Sequence, residues 1–145
     1  MRLVVDASVA VKWFIAEPGH EFAAALLEAF PERIASGFVV VELANVLWKK
    51  LGRAEICAFQ AEEALRELPR FFQSFLPARD LVSRAPQLSL DLNHPVYDCL
   101  YLACAEQESA KLATADARLA KKCANTSFAA RFVFLDGFID PATLI

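Results

Sequence analysis

The chain has 145 residues, 57% of them hydrophobic and 12 of them Phe, and a formal net charge of −3. That length fills one core and excludes two ordinary domains, so a single domain over 1–145 is expected. The charge gives no strongly basic signature of nucleic-acid binding, although four carboxylates gathered in one site would leave the rest of the chain at +1.

The first element is a short apolar run, Leu3-Val4-Val5, which reads as a strand buried on both faces and ends abruptly on Asp6. Ligands of open α/β sheets bind at that carboxyl end, so an acid there points to a site; a turn or cap role is the alternative. Ser8 to Ala16 reads as a first helix that stops before Pro18-Gly19, and Glu21 to Phe30 as a second, ended by Pro31. Arg33-Ile34-Ala35 is a brief strand.

Ser36 is a candidate N-cap for a helix reaching Leu51, with Gly52 as its stop signal. The run Val39-Val40-Val41 argues for a strand, but Val39, Leu43, Val46 and Leu47 form a stripe of helical period. On that helix Glu42, Asn45 and Lys49 share a polar face. Ala54 to Leu68 continues as a helix, and the segment after Pro69 reads as a strand or a short helical piece. Arg79 to Leu92 is expected to be helical, kinked or broken at Pro86.

Asn93-His94-Pro95 opens a helix from Val96 to about Ser109, with Asp98 in its first turns and His94 as punctuation at its start. Lys111 to Thr114 is a strand running into Asp116, and Ala117 to Cys123 a helix, which repeats the opening order of strand, acid, helix. Phe132 to Leu135 is a last strand ending on Asp136. This alternation predicts an α/β fold with a central, mostly parallel sheet covered on both faces.

Charged residues interrupt every apolar stretch, so no membrane span is expected, and Asp6 and Lys12 break any signal peptide. Cys57, Cys99, Cys104 and Cys123 form no C-x-x-C pair, which predicts reduced thiols in a cytoplasmic protein. The apolar mass, with Phe22, Phe59, Phe71, Phe72 and Phe75, exceeds what a monomer of this size hides comfortably; a homodimer or a tight protein partner is expected.

Asp6, Glu42, Asp98 and Asp116 thus stand out by position. Two carboxylates about 4 Å apart repel by roughly 4 kcal/mol at an effective dielectric near 20, so such a cluster needs protons or a cation. Hard oxygen donors select Mg²⁺ or Mn²⁺, and the chemistry they support is phosphodiester hydrolysis by a polarised water. Lys12, Lys49, Arg118, Lys121 and Lys122 are candidates for contacts to substrate phosphates, with a solvated charged face as the alternative; Trp13 and Trp48 stack on a ligand or belong to the core.

Four stretches carry a family resemblance: Val4-Val5-Asp6-Ala7-Ser8-Val9, Val41-Glu42-Leu43-Ala44-Asn45-Val46-Leu47-Trp48, Val96-Tyr97-Asp98-Cys99-Leu100-Tyr101-Leu102-Ala103 and Ala113-Thr114-Ala115-Asp116-Ala117-Arg118-Leu119. In this order and spacing they resemble PIN-domain ribonucleases, in particular VapC-type toxins of toxin–antitoxin pairs. The resemblance implies a three-layer α/β/α fold and a Mg²⁺- or Mn²⁺-dependent endoribonuclease acting on RNA and restrained by a cognate antitoxin. It implies Asp6, Glu42, Asp98 and Asp116 as metal ligands, with Ser8, Thr114 and Asn45 assisting. Family members often carry Pro where Ser36 stands, a departure that touches a helix start and not the acids. A silent PIN-fold binding protein is one alternative. A phosphatase with an aspartate nucleophile is another, but its Asp-x-Asp pattern needs an acid where Ser8 stands.

Overall fold

The structure of the protein is a computed structural model in which residues 1–134 are described. The chain runs β1 (Arg2–Val5), α1 (Ala7–Ala10), α2 (His20–Ala29), β2 (Glu32–Ser36), α3 (Phe38–Gly52), α4 (Ala58–Glu67), β3 (Ser74–Leu76), α5 (Ala85–Leu92), α6 (Val96–Gln107), β4 (Lys111–Thr114), α7 (Ala117–Cys123) and β5 (Phe132–Phe134).

All strand pairs are parallel and the sheet order is β3-β2-β1-β4-β5. β1 lies at the centre, with Val4 opposite Ile34 of β2 and Leu112 of β4. Leu3, Val4 and Val5 are completely buried, as expected of a strand covered on both faces. The connections from β1 to β3 and from β3 to β5 run in opposite directions along the sheet. Right-handed crossovers therefore send their helices to opposite faces, giving three α/β/α layers.

α6 is the central helix of its layer. It lies against β1, β2 and β4, and α5 packs on it, so Cys99 through Ala105 are all buried. Asn93 closes α5 in a left-handed conformation that Asn tolerates, and Pro95 then precedes the first residue of α6. The reversal is short, so the amino end of α6 is held at the carboxyl edge of the sheet.

Several sequence expectations need correction. The first helix is shorter than Ser8 to Ala16: Asp6, not Ser8, caps α1, and the chain tightens into a 3-10 turn over Val11–Trp13. That turn lets the Trp13 indole N–H donate to the Ala23 carbonyl at 2.8 Å while its ring stacks on Phe71, so Trp13 is a packing residue. Ser36 is not an N-cap, because pairing with β3 keeps it in β2; its buried hydroxyl accepts a 3.2 Å bond from the Phe38 amide. The Val39-Val40-Val41 run is helical, with Val39, Leu43 and Leu47 buried.

α4 starts at Ala58 and not at Ala54, which has a left-handed φ of 56° that breaks the helix after Arg53. The segment after Pro69 supplies both candidate forms, a 3-10 turn over Leu68–Phe71 and then β3. Arg79 to Leu92 is not one kinked helix: a 3-10 turn covers Ala78–Asp80, and Pro86 sits in the first turn of α5, where its missing N–H costs nothing. Leu135 and Asp136 lie outside the described residues. Among the described residues no helix is long and apolar enough to cross a membrane.

The position of α6 depends on burial, so Leu102→Ala, at a site with no exposure, is expected to lower unfolding free energy by about 2–5 kcal/mol. Leu90→Ala, on the outer side of α5 at 78% exposure, should change it by less than about 0.5 kcal/mol. Urea denaturation of the two variants measures the contrast.

Candidate active site

The strand order reverses between β1 and β4, and at such a switch point the carboxyl ends of two strands frame a crevice. Asp6 leaves β1 there, its amide still donating to the Ala113 carbonyl of β4 at 3.3 Å. Its side chain turns back to cap α1: Oδ1 accepts from the Val9 amide at 3.2 Å and from the Ser8 hydroxyl at 2.5 Å. Ser8 Oγ in turn accepts from the Ala115 amide at 2.9 Å, so one hydroxyl joins the loop after β1 to the loop after β4.

On the β4 side Thr114 is buried, and its hydroxyl accepts from the Asp116 amide at 3.0 Å and also bonds the Asp6 side chain. Asp116 caps α7, its Oδ1 accepting from the Arg118 amide at 2.9 Å with the Arg118 guanidinium 3.6 Å away. The second acid therefore repeats the local geometry of the first, a strand-end aspartate capping the following helix.

Glu42 and Asp98 come from the early turns of α3 and α6, whose amino ends both lie at this edge. Glu42 Oε2 accepts a 2.6 Å bond from the hydroxyl of Tyr101, which is almost fully buried. Asp98 Oδ2 stands 2.7 Å from Nε2 of buried His94, one helical turn earlier, so Nε2 carries the proton whenever Asp98 is ionised. His94, assigned from sequence to helix punctuation, thus also orients an acid. Tyr101 was not singled out at all, although it follows Asp98 at i+3 and hence lies on the same face of α6.

The acids form two overlapping groups. Ligand atoms of His94, Asp98 and Asp116 all lie within 4.8 Å of one another. The Asp98 charge disfavours charge on Asp6, and Asp6 and Asp98 together disfavour charge on Glu42. Asp98 belongs to both. Burial, followed by the Asp98 charge, pushes the Asp6 carboxyl up to about 6 against the pull of its hydrogen bonds to Ser8, Thr114 and Val9. Burial first, and then Asp6 and Asp98, push Glu42 up to about 7 although the Tyr101 hydroxyl works to lower it. The Tyr101 phenol is held far above its ordinary range by the same burial and by Glu42.

Asn45 is exposed on the next turn of α3. With Glu42 it lines a cleft of about 410 Å³ bounded by Phe38, Val41 and Tyr97, the two rings stacked with centroids 5.4 Å apart. Its amide faces the same opening as the Glu42 side but makes no hydrogen bond to the acids among the described residues.

This donor set fits a hard divalent cation. Among the described residues the hydrogen bonds to Glu42, Asp98 and Asp116 from other groups fall on a single oxygen of each carboxylate, leaving the second oxygen for a ligand. Repelling carboxylates with raised proton affinity at one edge are the arrangement that a cation relieves.

A stability dependence follows. Asp6 and Glu42 bind protons more tightly folded than unfolded, so without a cation their contribution is complete below about pH 4 and is lost as pH rises through about 6 and 7. For Asp6 alone the shift from 3.8 to about 6 corresponds to roughly 3 kcal/mol. Glu17, held below its ordinary value, acts with the opposite sign but only in more acidic solution. The Tm in chelator is therefore expected to fall between pH 5 and pH 8, and Mg²⁺ or Mn²⁺ at pH 8 to restore it; a Tm flat across this range contradicts the coupling.

Comparison with known proteins agrees with the geometry. Residues 3–125 match the PIN domain family. The chain is 33% identical over 124 residues to Ribonuclease VapC3 of Pyrobaculum aerophilum, covering 84% of this chain and 95% of that one. The crystal structure of PAE2754 from Pyrobaculum aerophilum superposes with a TM-score of 0.67 at 17% identity, covering 99% of this chain and 95% of that one. A toxin–antitoxin complex from Klebsiella pneumoniae gives a TM-score of 0.67 at 18% identity, covering 94% and 99%. The parallel sheet, the acids at its switch point and the match over most of the chain agree: the protein belongs to the PIN-domain family, among its VapC-type members.

Proposed function

We propose that the protein is a metal-dependent endoribonuclease that hydrolyses RNA phosphodiester bonds as the toxin of a VapBC-type module. The observation that carries this reading is the convergence of Asp6, Glu42, Asp98 and Asp116 at one edge of the sheet, with Asp98 common to both acid groups. The relative named as a ribonuclease supports the reaction, and the neighbour described as a toxin–antitoxin complex supports an antitoxin partner.

In this reading the four acids hold Mg²⁺ or Mn²⁺. When bound, the ion makes a water more acidic and offsets charge developing on the phosphate and the leaving oxygen. The chain's own groups set the geometry. Ser8, Thr114 and the Val9 amide fix Asp6, the Tyr101 hydroxyl fixes Glu42, and His94 fixes Asp98. Asn45, beside Glu42, positions the RNA chain or a water at the mouth of the cleft.

The partners belong to the same proposal. α3 leaves Val41 and Trp48 about two-thirds exposed, with Leu51 further along the same side, and α4 exposes Phe59. Apolar surface of this kind is what a second copy of the chain or an antitoxin covers. The reading places the protein in the cytoplasm, in keeping with four cysteines whose spacing forms no C-x-x-C pair.

Two measurements test these points. Wild type is expected to cleave RNA with Mn²⁺ or Mg²⁺ and not in chelator, while Asp6→Ala prepared identically should lose more than about 100-fold of the rate. Equal cleavage by both would assign the activity to a contaminant and remove the mechanism. Light scattering on an eluting size-exclusion peak should give the mass of a dimer; a clean monomer removes the homodimer.

A further inference from the structure

A second pocket, of about 290 Å³, lies beside the acid cluster, floored in part by Val11 and Val46, and its charged lining has the opposite sign. Ser8 and Ala115 form one wall, and these are the residues whose hydroxyl and amide tie the loop after β1 to the loop after β4. The remaining polar lining is Lys12, Lys49, Lys50 and Arg53 with a single carboxylate, Glu17. A pocket sharing a wall with an acid cluster and carrying four cations is not accounted for by holding a divalent ion.

The cations divide into two kinds. Glu17 is half-buried and takes one lysine on each oxygen: Lys12 Nζ at 2.9 Å from Oε1 and Lys50 Nζ at 2.5 Å from Oε2. Burial alone would raise the Glu17 carboxyl, but the bonds to Lys50 and Lys12 outweigh it and keep it ionised. Lys12 is further held by the Pro18 carbonyl at 2.8 Å, and Lys50 reaches Glu55 at 3.4 Å. This lysine–glutamate–lysine bridge ties the turn after α1 to α3 and makes a rigid wall with an excess positive charge.

Lys49 and Arg53 are different. Both are exposed and four residues apart, Lys49 in the last turn of α3 and Arg53 just past its end. Lys49 has no ion pair among the described residues, and Arg53 only approaches Glu55, at 4.0 Å with its side chain 69% exposed. Their charges are free for a ligand at the pocket mouth.

Resting on the endoribonuclease reading above, we propose that this pocket seats a backbone phosphate of the RNA strand flanking the bond to be cut. Lys49 and Arg53 contact the phosphate oxygens, and the Lys12–Glu17–Lys50 bridge holds the wall behind them. One divalent ion offsets two of four carboxylate charges, so the cluster still repels a polyanion, and cations placed beside it hold a strand that crosses it. Ser8 supplies the continuity, since its hydroxyl bonds Asp6 and it also lines the pocket. Lys49 and Arg53 are positioning residues here, acting on the strand and not on the reacting atoms.

The test reads binding, not cleavage. In an Asp6→Asn background, which leaves RNA intact, fluorescence anisotropy follows a labelled mixed-sequence single-stranded RNA across a salt series with Mg²⁺ present. Adding Lys49→Gln and Arg53→Gln together is expected to weaken binding about tenfold and to reduce the slope of log K against log salt by about 0.7, the loss of one neutralised phosphate on a single strand. Lys111→Gln, at the opposite, amino end of β4, should change neither quantity. An unchanged affinity and slope in the double variant, with Tm equal to that of its parent, overturns the pocket while leaving the nuclease reading intact. A parent that binds no RNA at any salt overturns that reading and the pocket with it.

Discussion

The parallel contact between β1 and β4 is the constraint on which the rest depends. These strands are more than a hundred residues apart in the chain, yet their pairing puts Asp6 beside the Thr114–Asp116 loop and lets Ser8 bond across the gap. Both acids are the first residues after a strand or its turn, and both cap the following helix. An aspartate that caps a helix is pinned in direction by backbone amides, so the cap that starts each helix also aims each carboxylate. Moving either strand by one residue would reverse the faces of its side chains and separate them.

Around that pair the fold accumulates like charges and then fixes them. Asp98 arrives on a helix whose burial on all sides determines its place, and Glu42 arrives on α3. Among the described residues each is held by one partner, His94 and Tyr101 respectively, and both partners are buried. Buried donors of this kind cost little mobility when a ligand binds, and they leave one oxygen of each carboxylate for it. The result is a preorganised, electrically frustrated edge, with Asp6 and Glu42 shifted toward their neutral forms until a cation is present.

The electrostatics are also polarised over a short distance. α3 carries Glu42 near its start and Lys49 and Lys50 in its last turn, with about 1.5 Å of rise per residue between them, and Arg53 follows just past its end. One helix therefore spans from the acid cluster to the cationic pocket. A net charge of −3 conceals this separation, because the average over the chain contains no information about where the signs sit.

Much of this was determined by the sequence alone. β1 reads as an unbroken apolar run, β2 was legible as the brief Arg33-Ile34-Ala35 strand and β4 by repeating the order of strand, acid and helix, while helical periodicity decided α3 against its valine run because Val39, Leu43 and Leu47 needed one common buried side. The four acids were legible from their places at strand ends and helix starts and from the family resemblance. What the tertiary structure decided were features that depend on partners distant in the chain: Ser36 retained in β2 by β3, Trp13 drawn into packing by Phe71 and the Ala23 carbonyl, and Tyr101 aimed at Glu42 across 59 positions. It likewise decided that His94 steadies Asp98 and that Glu17 gathers Lys12 and Lys50, leaving Lys49 without an ion pair among the described residues and Arg53 with only a distant, exposed one at the mouth of a pocket. Local pattern sets which residues prefer a helix, a strand or a cap. Only the packed sheet brings charges from separate elements within hydrogen-bonding distance, and there their repulsion and pairing become the chemistry of the site.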